Sequence, residues 1–133
     1  MIVFAQEPDL SAAAFASLLA ASGLAERRPS DISRLDAMLR GAQLVVTARD
    51  DGALVGVARS ITDWAYCLYC SDLCVAASHQ GRGIGKALLG QTARAAPQVK
   101  SCLLLSAPGA VGFYEAAGYP RHDGAFLFAQ HHQ

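Results

Sequence analysis

A chain of 133 residues, 53% hydrophobic and 17% charged with a mean hydropathy of +0.25, is long enough for one buried core and too apolar to stay disordered; one domain over 1–133 is expected. Eleven basic side chains balance eleven acidic ones, which excludes a global cationic field for nucleic acid or an anionic membrane, so any anion site is local. The opening run Met1 to Glu7 has neither the basic flank of a signal peptide nor the apolar length of a membrane span, and the cytoplasm is the expected location.

In chain order, residues 1 to 5 read as a strand. Pro8-Asp9 opens a helix in which Ala14, Phe15, Leu18 and Leu19 recur at helical spacing until Gly23. Pro29-Ser30-Asp31 starts a second helix with Ile32, Leu35, Met38 and Leu39 on one face, Arg40 in its last turn and Gly41 beyond. Two β-rich runs, Gln43 to Arg49 and Ala53 to Thr62, flank Asp50-Asp51-Gly52, an Asp-Gly hairpin signal. Trp64 to Val75 is a long strand candidate leading into Gln80 to Lys86, rich in glycine. Helical spacing resumes from Gly85 to Ala96, followed by a short strand, Ser101 to Leu105, and a helix over Ala110 to Ala117 that stops at Gly118. Tyr119 to Arg121 and Ala125 to Ala129, around Asp123-Gly124, read as a closing pair of strands.

The cysteines do not suggest a metal or redox centre. Cys67, Cys70 and Cys74 share one strand-like run with alternating faces, and Cys67-Leu-Tyr-Cys70 has neither the turn nor the second Cys/His pair that zinc requires. His122, His131 and His132, close to the C-terminus, read as solvated side chains.

Gln80-Gly81-Arg82-Gly83-Ile84-Gly85-Lys86 is the most informative segment. Three glycines at alternate positions leave backbone amides uncovered where a helix begins. The helix dipole, Arg82 and Lys86 then favour an anion such as phosphate. A P-loop would need glycine at Gln80 and a hydroxyl at Ala87, and a dinucleotide fingerprint would need a small residue at Lys86 or Leu88 and an acid where Leu103 to Leu105 stand. Neither pattern fits.

The pattern that does fit, Gln-x-x-Gly-x-Gly on Gln80, Gly83 and Gly85, resembles the acyl-CoA loop of GNAT-type N-acetyltransferases. Downstream, Leu103-Leu-Leu-Ser-Ala-Pro-Gly-Ala-Val-Gly-Phe113-Tyr114-Glu115-Ala-Ala-Gly118-Tyr119 is similar to the same family's later strand–helix motif. The order of elements agrees with it along the whole chain. The resemblance implies an α/β (α+β) fold: a mixed, mostly antiparallel twisted sheet with flanking helices and a central parallel, splayed strand pair ending at Val75 and Leu105. It implies an acetyl-CoA-dependent N-acyltransferase that joins acetyl-CoA and a small-molecule or peptide amine in a ternary complex. No metal, nucleic acid or membrane is expected to take part, and homodimer formation stays open.

By the same resemblance, Leu73, Cys74 and Val75 offer backbone to the pantetheine arm and thioester, Gln80, Gly81, Arg82, Gly83, Ile84, Gly85 and Lys86 hold the pyrophosphate, and Ser106, where many members have asparagine, is a cofactor-binding candidate beside the pantetheine arm. Tyr114 matches the tyrosine near the thioester sulfur, as general acid or as a group that orients the cofactor. Asp72 is the candidate base by position, with Asp63 or a water relay as alternatives. A non-catalytic acyl-CoA-binding module would keep the glycine loop without needing Tyr114 or Asp72.

Overall fold

The computed structural model describes residues 1–128. Five strands, β1 (Ile2–Gln6), β2 (Leu44–Asp50), β3 (Ala53–Thr62), β4 (Cys67–Val75) and β5 (Ser101–Leu104), form one sheet in that order. The first four pair antiparallel and β4 pairs with β5 in parallel, which is the expected mixed sheet. The parallel pair stands at one edge of the described sheet.

Helices α1 (Ala12–Ser22), α2 (Ile32–Gly41), α3 (Ile84–Ala95) and α4 (Val111–Ala116) flank it. α1 starts later than Pro8-Asp9 implies. The sheet edge extends through Glu7, whose N–H donates to Val45 O at 2.9 Å, Pro8 and Asp9 form a turn closed by Leu10 N–H donating to Glu7 O at 3.2 Å, and the cap is Ser11, whose Oγ accepts from Ala14 N–H at 3.1 Å. Gly23 ends α1 at φ +86°, the left-handed conformation that glycine adopts without strain. Asp31 caps α2 by accepting from Ser33 N–H at 3.0 Å.

Phe15, Leu18 and Leu19 of α1 and Leu35 and Leu39 of α2 are buried with Val46 and Val57 of the sheet. α3 packs against β2, β3 and β4. The β2–β3 turn has Asp51 at φ +48° and Gly52 at φ +90°, the backbone that the Asp-Gly signal predicts. Side chains alternate along β3, so Gly56 faces α3 while Arg59 faces α1 and α2. A Cβ on Gly56 would lie 2.9 Å from Leu88 Cδ1 and 3.4 Å from Ala48 Cβ and Ile84 Cγ2. Gly56→Val is therefore expected to lower stability by roughly 1–3 kcal/mol through overpacking. Urea unfolding reads this directly, and an unchanged midpoint would mean that α3 does not press on β3.

Two expectations need correction. The third long strand begins at Cys67 and not at Trp64, because the Asp63 carboxylate accepts from the backbone N–H groups of Ala65, Tyr66 and Cys67 at 2.9, 2.8 and 3.1 Å. That wraps the chain into a loop with Trp64 at φ +63°. The closing strand pair is absent among the described residues: 119–128 carry no strand, and Ala129 lies outside them. Pro120 supplies no amide to a ladder, Gly124 N–H donates to its own neighbour's ring at His122 Nδ1 (3.0 Å), and arms of a few residues cannot hold an isolated hairpin. No described helix is long and apolar enough to cross a membrane.

Candidate active site

β4 and β5 pair only from Cys67↔Ser101 to Cys70↔Leu104, and β4 then runs on to Val75 after β5 has ended. The strands part, opening a cleft of about 670 Å³ between β4, the glycine loop and α4. Leu73, Cys74, Val75, Gln80, Gly81, Gly83, Ile84 and Gly85, all singled out from sequence, line it together with Tyr114.

The loop owes its shape to its glycines. Gly81 and Gly83 sit at φ +81° and +80°, with open space where a Cβ would point. Gly83 is also the N-cap of α3 and offers no side-chain cap, so the first amides of a 12-residue helix lack a side-chain partner. Uncapped amides, a positive helix end and room above two glycines suit a pyrophosphate. Gly85 has a different role, since a Cβ there would stand 3.1 Å from Phe113 Cζ. It lets α4 close against α3.

Gln80 also departs from a plain ligand role. Its Nε2 donates to Val75 O at 2.8 Å, tying the loop to the end of β4. Arg82 and Lys86 are exposed and off the cleft lining, with Arg82 Nη2 donating to Ser78 O at 3.4 Å. Ser106 also lies off the lining, its Oγ donating to Ala107 O at 2.7 Å.

Tyr114 is half-buried beside Phe113 (ring centroids 5.0 Å apart, edge-on) and Tyr119 (6.4 Å). Burial, with smaller contributions from Cys70 and Tyr119, pushes its phenol up to about 12. Burial likewise pushes the Cys70 and Cys74 thiols up to about 11 and about 12, so these cleft-lining sulfurs stay protonated and behave as small apolar groups.

Asp72 is fully buried and does not reach the cleft. One carboxylate oxygen accepts from Arg28 Nε and the other from Arg59 Nε. Arg28 also donates to Arg27 O and Ser71 O, both at 2.8 Å, and Arg59 to Met38 O at 3.2 Å. The three-ion cluster therefore clamps the α1–α2 turn onto β4. Asp63 is likewise engaged, its carboxyl held below the ordinary range by the Tyr66, Ala65 and Cys67 amides, and it lies off the lining.

Sequence reasoning missed Arg27 and Arg28, on the short 3-10 turn at Ala25–Arg27 and just after it, and His79, whose Nε2 lies 2.8 Å from Asp50 Oδ2. No carboxylate lines the cleft among the described residues.

A family model described as an acetyltransferase (GNAT) domain matches residues 41–121. No curated protein matches the chain significantly. Among solved structures, a GNAT family protein from Streptococcus pneumoniae is 21% identical with a TM-score of 0.73, covering 98% of this chain and 100% of its own. A ribosomal-protein-alanine N-acetyltransferase from Brucella melitensis is 23% identical with a TM-score of 0.74, over 98% of this chain and 100% of its own. An aminoglycoside N-acetyltransferase in complex with CoA is 15% identical with a TM-score of 0.74, over 98% and 95%. At these identities the likeness is one of fold.

Proposed function

The chain belongs to the GNAT family of acetyltransferases, and from that premise we propose that it acts as one domain transferring an acetyl group from acetyl-CoA to a primary amine in a ternary complex. The observation that carries this reading is the parting of β4 from β5 directly beside an uncapped, glycine-lined helix start. Acetyl-CoA supplies the activated thioester. The loop from Gln80 to Gly85 holds its pyrophosphate, and Leu73 to Val75 give backbone hydrogen bonds to the arm, as a strand in place of β5 would.

The amine nitrogen bonds to the carbonyl carbon as the carbon–sulfur bond breaks, the amine's proton passes to water, and the sulfur departs as a thiolate that takes its proton from water. Asp72, spent on Arg28 and Arg59, is a positioning residue in this scheme, and Asp63 serves the β3–β4 loop. The water relay takes the base role. Tyr114, at about 12, is a weaker acid than a thiol near ~8.5, so it acts as a permanently protonated hydrogen-bond donor to the sulfur.

Two results test this together. Tyr114→Phe removes one hydrogen bond to a charged sulfur, about 1.5–3 kcal/mol, and should lower kcat by roughly 10- to 100-fold with little change in the KM for acetyl-CoA. Wild-type kcat/KM should rise with pH as the acceptor ammonium loses its proton near ~10. It should show no Tyr114-dependent decline below about pH 11, because a phenol raised to about 12 keeps its proton through that range. Free-CoA release across a panel of amines, read with a thiol reagent, is the measurement. Binding of acetyl-CoA with no turnover on any amine would replace this reading with that of a binding module.

A further inference from the structure

The two ends of the cleft differ in charge and in the part of the chain that builds them. At one end is the glycine loop. At the other, Arg28 donates to Ser71 O, four residues before Val75 and thus about 13 Å along the strand at ~3.3 Å per residue. There the lining comes from Ser22, Gly23, Leu24, Arg27 and Arg28.

Both charged side chains at that end are guanidinium groups. Asp72 does not neutralise this end, since Arg28, Arg59 and Asp72 together carry +1 and Arg27 adds a further positive charge. Arg28 spends its Nε, Nη1 and Nη2 on Asp72, Arg27 O and Ser71 O. Arg27 is exposed, and its side chain has no hydrogen bond or ion pair among the described residues. Glu26 beside it is exposed and off the lining.

On the premise of acetyl transfer, the geometry points to a small acceptor amine that carries a carboxylate, of amino-acid type, with Arg27 as its anchor. A single guanidinium with its planar fork free matches one carboxylate in bidentate fashion. The cluster behind it adds attraction for an anion and repels polycationic acceptors, which would need carboxylates that this end of the cleft lacks. The same positive charge lowers the pKa of the acceptor ammonium and enriches the neutral amine that attacks. Size agrees, because about 670 Å³ is shared with the pantetheine arm.

The test compares each of several α-amino acids with its primary amide and its decarboxylated amine, in wild type, Arg27→Gln and Arg27→Lys, with thermal unfolding of each variant. Wild type should favour the acid over the amide by about 30-fold or more in kcat/KM. Arg27→Gln should shrink that ratio to within about threefold, mostly through the KM of the acid, and Arg27→Lys should restore part of it. Preference for amides or polyamines, or a ratio that survives Arg27→Gln in a folded variant, overturns the proposal while acetyl transfer stands. Silence on every acceptor, with acetyl-CoA binding seen by calorimetry, overturns both.

Discussion

Asp72→Ala is expected to lower the stability of the fold by about 3–5 kcal/mol, the largest effect of any single truncation at the site. The carboxylate is fully buried and both its oxygens are taken by guanidinium groups, one from the α1–α2 turn and one from β3. Removing it leaves Arg59, only 7% exposed, as a charge without a counterion beside Arg28. Breaking half of a buried ion cluster costs far more than the cluster contributes as a whole, because the surviving charges stay desolvated. Adding Arg59→Met to the Asp72→Ala background should therefore recover part of the loss, a coupling that chemical denaturation of the two single variants and the double variant measures. If Asp72 were instead the base, the variant would lose kcat at unaltered stability. In a folded Asp72→Asn protein, loosening of Arg28 should raise the KM of the acceptor more than that of acetyl-CoA.

Gly83→Asp should weaken acetyl-CoA binding by about 100-fold, or ~2.7 kcal/mol. Two causes act in the same direction. Gly83 has φ +80°, which a residue with a Cβ adopts only at a cost of about 1–2 kcal/mol. The new carboxylate also points into open space above the uncapped start of α3, where it competes with the pyrophosphate for the same amides and repels it. Gly83→Ala separates the causes, keeping the backbone strain without the charge. Calorimetry should find it intermediate, and equal affinity for Gly83→Asp and wild type would remove the pyrophosphate from this loop.

Much of the fold can be read from local signals. The periodicity of Phe15, Leu18 and Leu19 and of Leu35 and Leu39 marks the buried helix faces, and Asp51-Gly52 marks the hairpin. The glycine loop is legible for the same reason, since its backbone requirements are written in adjacent residues. What escapes is chemistry decided by partners far along the chain. Asp72 looks like a base because Arg59 is 13 residues away and Arg28 is 44 away, and neither announces the pairing. Arg27 and Arg28 lie on a turn with no buried residue and no periodicity to read. Gln80 matches a ligand motif, while its amide has the architectural task of holding Val75 O. Asp63 shortens β4 through a carboxylate turn that strand propensity does not register.

The two sides of the cleft are assembled from different parts of the sequence. The side beside the glycine loop comes from residues 73–85 and 104–114, and the far end from residues 22–28 with Cys70 and Ser71. The Ala25–Arg27 turn buries no side chain of its own, so substitutions on its outer positions leave the core packing intact. On the acceptor assignment proposed above, drift in this single surface turn would exchange one acceptor for another while the glycine loop and the parted strands stay unaltered.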